Sequence, residues 1–138
     1  MRFRADELPG YKIAWLLWPD DDNWHDGELN FPEAWLDAGE TIYGFAHEIG
    51  PDPHVNAFTA DTGQTLREWH TAVIEWRPDS VTFSLDGVPY RTTDPVAVPQ
   101  VPMYWSMQTE TQPTPPSPDV SGTVYVDYVR AWAYTPAP

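Results

Sequence analysis

The sequence predicts an antiparallel β-sandwich, and three observations carry that expectation. Sixteen prolines and eight glycines interrupt the 138 residues so often that few windows could hold a long helix. Between the interruptions lie short apolar or alternating runs, with turn signals at roughly the spacing of about eight to twelve residues that suits a sandwich. Finally, Val81, Phe83 and Leu85 alternate with Thr82 and Ser84 up to Asp86-Gly87, a two-residue hairpin signal. One domain over residues 1–138 is expected, long enough for a sizeable core.

Charge and composition narrow the function. Seven basic and twenty-one acidic residues give a net charge of −14, which opposes phosphate backbones and anionic membranes. Neither nucleic acid nor a membrane is expected as a partner. There is no cysteine, hence no disulfide and no thiolate metal site. The longest apolar run, Ile13 to Trp18, is far too short to span a bilayer. The start, Met1-Arg2-Phe3-Arg4-Ala5-Asp6, is basic but has no apolar segment behind it, so no export signal is visible.

Taken in order, Phe3-Arg4-Ala5 reads as a strand already under way. Ile13 to Trp18 has the pattern of a strand buried on both faces. Pro19-Asp20-Asp21-Asp22-Asn23 is a polar loop lacking the glycine and distal glutamate of an EF-hand, so a solvated turn is expected. Thr41 to His47 alternates, with Tyr43, Phe45 and His47 on one face. Gln64 to Arg77 is ambiguous, since Leu66, Trp69, Val73 and Ile74 fit a helical stripe while His70, Ala72, Ile74 and Trp76 fit a strand face. The turn at Arg77-Pro78-Asp79-Ser80 and the hairpin behind it favour a strand from Trp69 to Trp76. His70 reads as a structural partner beside Trp69, and His25, His54 and His70 make no metal-ligand spacing with His47. Pro95 to Pro102 is a proline-spaced linker. In the strand Met103 to Glu110, Trp105, Met107 and Thr109 share one face, while Tyr104, Ser106, Gln108 and Glu110 share the other. Gln112 to Pro118 should stay irregular, and Thr123 to Tyr134 is expected as the last and longest strand.

The chemistry concentrates in Asp26-Gly27-Glu28-Leu29-Asn30-Phe31-Pro32-Glu33. On a strand Glu28 and Asn30 share a face. A bulge near Pro32 slips the alternation by one and returns Glu33 to that face, and proline, lacking a ladder N–H, suits a bulge. Two carboxylates on one surface are what glycoside hydrolysis needs, one ionised and one protonated. Acidic residues that are merely solvated would leave the same pair.

This stretch resembles the catalytic strand of glycoside hydrolase family 16, whose pattern is Glu, apolar, Asp, apolar, an optional bulge residue, then Glu. Both glutamates match, and Asn30 stands where the pattern has aspartate. Tyr11 to Pro19 resembles the strand before it, Trp69 to Trp76 with Val81 to Gly87 a core hairpin, and Val126 to Arg130 the closing strand. The similarity runs from about Phe3 to about Tyr134. Several N-terminal strands of the family have no counterpart here, which leaves a sheet edge uncovered and makes self-association through it an expectation.

The resemblance implies a concanavalin-like jelly roll, N-terminally truncated, whose cleft takes an extended polysaccharide or oligosaccharide. It implies an endo-acting, retaining hydrolase of β-linked glucan or galactan, with Glu28 as nucleophile and Glu33 as acid and then base. Retention needs carboxyl groups about 5 to 5.5 Å apart. Four positions on a straight strand span about 13 Å at ~3.3 Å each, so the strand must curve. Asn30 can donate to Glu28 but cannot ionise or hold a proton between two carboxylates, and the lost charge makes Glu33 a poorer acid near neutrality. Reduced activity or a more acidic optimum is therefore expected. Trp24, His47, Trp105 and Gln108 are expected to contact substrate. No cofactor and no metal are expected, although Asp127 falls where some relatives carry a structural Ca²⁺. By the same analogy the protein acts outside the cell. Two alternatives stand beside this reading: a non-catalytic carbohydrate-binding protein that keeps the cleft, which Asn30 favours, and a domain with no function alone.

Overall fold

The computed structural model of the protein describes residues 1–136. Its strands are β1 (Arg2–Ala5), β2 (Tyr11–Pro19), β3 (Leu29–Trp35), β4 (Thr41–His47), β5 (Asn56–Thr65), β6 (His70–Arg77), β7 (Ser80–Leu85), β8 (Val88–Thr92), β9 (Met103–Thr111) and β10 (Val124–Tyr128). Two three-residue 3-10 turns, Trp24–Asp26 and Pro95–Ala97, are the helical elements among the described residues. The strands form two five-stranded sheets, ordered β10-β1-β6-β7-β8 and β5-β4-β3-β2-β9, and every pairing is antiparallel. This is the expected all-β, jelly-roll type of sandwich.

Alternation decides which side chains lie between the sheets. Phe3 meets Trp15 edge-on at 5.4 Å between ring centroids, tying β1 to β2 across the interior. Phe83 of β7 stacks on Phe31 of β3 at 5.2 Å and on Phe58 of β5 at 6.1 Å. Gly44 of β4 lets these rings settle, since a Cβ there would stand 2.6 Å from Phe83 and 2.9 Å from Phe31. Ile13, Trp15, Leu29, Phe31, Ile42, Val81 and Phe83 are all essentially removed from water. By area each such side chain contributes about 1.5–3 kcal/mol.

The ambiguous stretch resolves as a strand, β6, paired with β7 from Ala72↔Leu85 to Arg77↔Ser80. Asp86 and Gly87 have φ of 51° and 85°, the two positive values that a tight hairpin of matching twist demands. Two expectations need correction. The longest strand is β5, ten residues without a local strand signal. Its side chains are mostly exposed at the edge of the sheet, so no apolar alternation marks it. The last strand ends at Tyr128 rather than Tyr134. Its one partner is β1, and that ladder runs out where Arg2 pairs with Tyr128.

At the far end of the β6–β7 hairpin, His70 is buried with both ring nitrogens facing oxygens, Nδ1 on Asp86 at 2.6 Å and Nε2 on the Thr65 carbonyl at 2.8 Å. Asp86 also accepts from the Thr71 N–H at 2.7 Å. Burial pushes the Asp86 pKa up, but the His70 and Thr71 hydrogen bonds and the His70 charge outweigh it and hold the carboxyl below its usual range. The stabilisation is therefore full above about pH 4 and is lost as acid protonates the carboxylate. Asp86→Ala strands the His70 and Thr71 donors and is expected to cost about 1–2 kcal/mol at neutral pH, reduced from the buried case by Asp86's exposure. Urea unfolding at pH 7 and pH 3 checks this: the difference between the two proteins should shrink in acid.

Candidate active site

The site is built on β3, and an irregularity in its ladders aims the side chains. On β4, Phe45 and Tyr43 pair with Asn30 and Glu33, while on β2, Leu16 and Ala14 pair with the same two residues. Three steps along β3 thus match two steps along both neighbours. The extra residue lies at Phe31-Pro32, where the bulge was expected, and the Phe31-Pro32 peptide is cis. Phe31 and Ala34 point into the core, leaving Asn30 and Glu33 on the outer face. Glu28 stands just ahead of the strand, its carbonyl accepting the His47 N–H at 2.9 Å.

On that face the polar groups form a connected chain. The Asn30 amide nitrogen donates to Glu33 Oε2 at 2.9 Å and lies 3.3 Å from His47 Nε2. His47 Nδ1 sits 2.8 Å from the Pro53 carbonyl, so it carries the proton and leaves Nε2 free to accept from the amide. His47 Nε2 is also 3.9 Å from Glu28 Oε1. The Asn30 amide thus serves Glu33, and it is also among the donors that favour the charged form of Glu28, as its residue type led one to expect. The other oxygen of Glu33 takes an ion pair from Lys12 Nζ at 2.7 Å, and Lys12 also reaches Glu110 at 3.3 Å. Burial alone would lower the Lys12 pKa, but the hydrogen bonds and charges of Glu33 and Glu110 overcome it and raise the ammonium above its ordinary value.

Glu28 is the more deeply placed carboxyl, only 8% exposed. Burial pushes its pKa up, and the Glu33 charge adds to this, while the His47 charge and the donors of Asn30 and Trp24 pull the other way without cancelling it. The Trp24 indole N–H lies beside Glu28 without closing to hydrogen-bond geometry, and Asn30 Oδ1 is likewise buried with no partner. One donor and one acceptor are therefore left over around Glu28. Buried polar groups of this kind are normally satisfied, so both stand out in this part of the molecule.

A cavity of about 370 Å³ opens beside Glu28, lined by Leu16, Trp18, Trp24, Glu28, Tyr104, Ser106 and Gln108. Its size lies within the range of small-ligand sites. A separate recess near Leu36 and Leu66 has room for about 10 Å³, one water at most. Asp22, from the aspartate loop, sets two walls of the larger cavity by accepting from Trp18 Nε1 at 3.0 Å and from the Tyr104 hydroxyl at 3.3 Å. Trp24 is wedged among Trp18, His47 and His54.

Of the expected substrate contacts, Trp24 and Gln108 line this cavity, and His47 borders it through Glu28 and Trp24. Trp105 does not join them. On β9 it pairs with Leu17 of β2 and shares the face of Met107, opposite that of Tyr104, Ser106 and Gln108, because alternate residues of a strand leave on opposite sides. Asp127, on β10, is taken by an ion pair with Arg2 at 2.8 Å. The sequence reading missed Lys12, Trp18 and Asp22. The first two share a face with Ala14 and Leu16 on β2, but a run this apolar gave no sign of which face was wet.

Comparison with known proteins bears on this arrangement. The family model for glycosyl hydrolases family 16 matches residues 1–130. The Crh-like protein 2 of Aspergillus fumigatus is 31% identical over 91 residues, which is 66% of this chain and 20% of that protein. The chain therefore matches about a fifth of its relative's length. No solved structure gives a significant match.

The raised pKa of Glu28 means that its charged form is destabilised by folding. Stability should therefore fall as pH rises through that value. Glu28→Gln removes the charge while keeping the shape, and is expected to stabilise the protein at pH 7 by roughly 0.5–2 kcal/mol. Thermal melts of both proteins from pH 4 to 8 check this, with the gain shrinking toward the acid end.

Proposed function

Because the chain belongs to glycosyl hydrolases family 16, we propose that it is an endo-acting, retaining hydrolase of a β-linked polysaccharide, glucan or galactan, acting outside the cell. One observation carries the reading: the β3 bulge brings Asn30 and Glu33 to the face of Glu28, and Glu28 lines a cavity walled by Trp18, Trp24, Tyr104 and Gln108. Flat aromatic faces with polar edges suit sugar rings, and the side-chain amide of Gln108 suits their hydroxyls.

In this mechanism Glu28, ionised, attacks the anomeric carbon as the protonated Glu33 passes its proton to the leaving oxygen, breaking the glycosidic bond. Water then attacks the glycosyl-enzyme ester, giving a proton to Glu33 and releasing Glu28 as carboxylate. Trp24 and Gln108, which line the cavity beside Glu28, would contact the sugar in both steps. Asn30 has a positive role, since its amide nitrogen donates to Glu33 and faces His47 where a carboxylate could not donate. The same residue also supports a second reading, a carbohydrate-binding protein with the cleft kept and turnover lost.

Reducing-sugar release from a panel of β-glucans and β-galactans, measured between pH 4 and 8, separates the readings. Release that disappears in Glu28→Gln is expected, with Asn30→Asp moving the optimum to higher pH. Sugar binding without release by the parent, and release only by Asn30→Asp, would establish the binder instead. Silence from every folded variant sinks the hydrolase for these polymers. Since the nucleophile must be ionised, the raised Glu28 pKa also places the acid limb of kcat/KM above that of an ordinary carboxylate, with rate lost as pH falls through it.

A further inference from the structure

The ion pair between Lys12 and Glu33 is used by neither step above, yet it touches the group that must both give and take a proton. Lys12 lies on β2, in register with Glu110 of β9, and its ammonium reaches Glu33 at 2.7 Å and Glu110 at 3.3 Å. Its stem runs beside the Trp35 ring, with Nζ 5.2 Å from the ring centroid. Half-buried and with two carboxylates in reach, it is not a loose surface lysine.

We propose that Lys12 is a positioning residue that acts through Glu33, moving between Glu33 and Glu110 as Glu33 changes protonation state. The inference rests on the hydrolase reading for its consequence but on geometry for its substance. Both oxygens of Glu33 face donors, Lys12 Nζ on Oε1 and Asn30 Nδ2 on Oε2, an arrangement made for a carboxylate. The carboxylic acid needs one oxygen to carry a proton, so one donor must leave. Asn30 is fixed by strand pairing on both sides, whereas Lys12 has a flexible stem, three donors and a second acceptor already within reach. As Glu33 delivers its proton to the leaving oxygen, the returning ammonium stabilises the carboxylate that forms. An attraction present in the product of proton transfer and absent in its reactant lowers that barrier.

The remaining charged and titratable groups facing Glu33 are Glu28 on its own strand side, Tyr43 and His47 on β4, Asp61 opposite Tyr43 on β5, and Glu110 on β9. Of these only His47 can add positive charge, and its Nε2 already faces the Asn30 amide. Lys12 is thus the permanent cation of the site.

Three variants test the proposal by the direction in which they move the alkaline limb of kcat/KM. Lys12→Met should move it to higher pH by about one unit, the scale of an opposite charge within hydrogen-bond distance, and lower kcat more than it raises KM. Lys12→Arg should restore the limb, and Glu110→Gln, which removes the competing acceptor, should move it the other way. A uniform loss of rate with no movement of the limb, or Lys12→Met and Glu110→Gln shifting it alike, overturns the proposal. A second measurement needs no turnover: NMR titration of the Lys12 ammonium in the parent and in Glu33→Gln. Loss of Glu33 should lower the pH at which Lys12 deprotonates, and an unchanged titration overturns the pairing whether or not any glycan is cleaved. If no glycan is cleaved while the titration moves, the hydrolase reading fails and the Lys12–Glu33 coupling stands.

Discussion

The packing of Phe31 against Phe83, over a backbone that only glycine at position 44 allows so close, is the contact on which the site depends. It pins β3 against the opposite sheet one residue before the bulge. With Phe31 inward on one side and Ala34 inward on the other, the extra residue between them can only be absorbed by slipping the ladder. Glu33 then reaches the face of Asn30. A methyl group on Gly44 would press on both phenyl rings, and so would disturb the face of Asn30 and Glu33 without touching any polar residue on it.

What the face can do is set by a contest between burial and donors. Glu28 sits deeper and its charge is disfavoured, whereas Glu33 has a donor on each oxygen. The two carboxyls therefore differ in surroundings although they lie five residues apart on one chain. Asn30 keeps this difference in place. Its nitrogen serves Glu33 and His47 together, and a carboxylate there would add a negative charge to a site that already holds Glu28, Glu33 and Glu110. In that setting the amide and Lys12 belong to one electrostatic solution, in which the site gives up an ionisable group and gains a cation.

The rest of the sandwich shows where the charge of −14 is balanced. Five of the seven basic residues are committed: Arg2 to Asp127, Arg4 to Asp6, Arg67 to Glu7, Arg77 to Glu75, and Lys12 to the site. The exposed pairs among them contribute little to stability. At the opposite end of the strand order, β9 and β10 close neither sheet, and Trp105, Met107 and Val126 are each more than a third exposed there. The sheet edges at this end are the part of the molecule least covered by its own described residues.

The sequence alone determined the sandwich, the hairpin at Asp86-Gly87, the bulge beside Pro32 and the glutamate pair, because each is written in local spacing or turn chemistry. Alternation in β9 also separated Tyr104, Ser106 and Gln108 from Trp105, so the mistaken place given to Trp105 came from weighing its ring above its register. Only the tertiary structure decided the rest. β5 became a strand because β4 offered an edge, and β10 ends at Tyr128, the residue that pairs with Arg2 of β1. Lys12 was invisible at one end of an apolar strand until β3 and β9 brought Glu33 and Glu110 to it from distant parts of the chain. Periodicity reports which residues share a face, but the charges that meet across that face are fixed by strand order, and strand order is a property of the folded sheet.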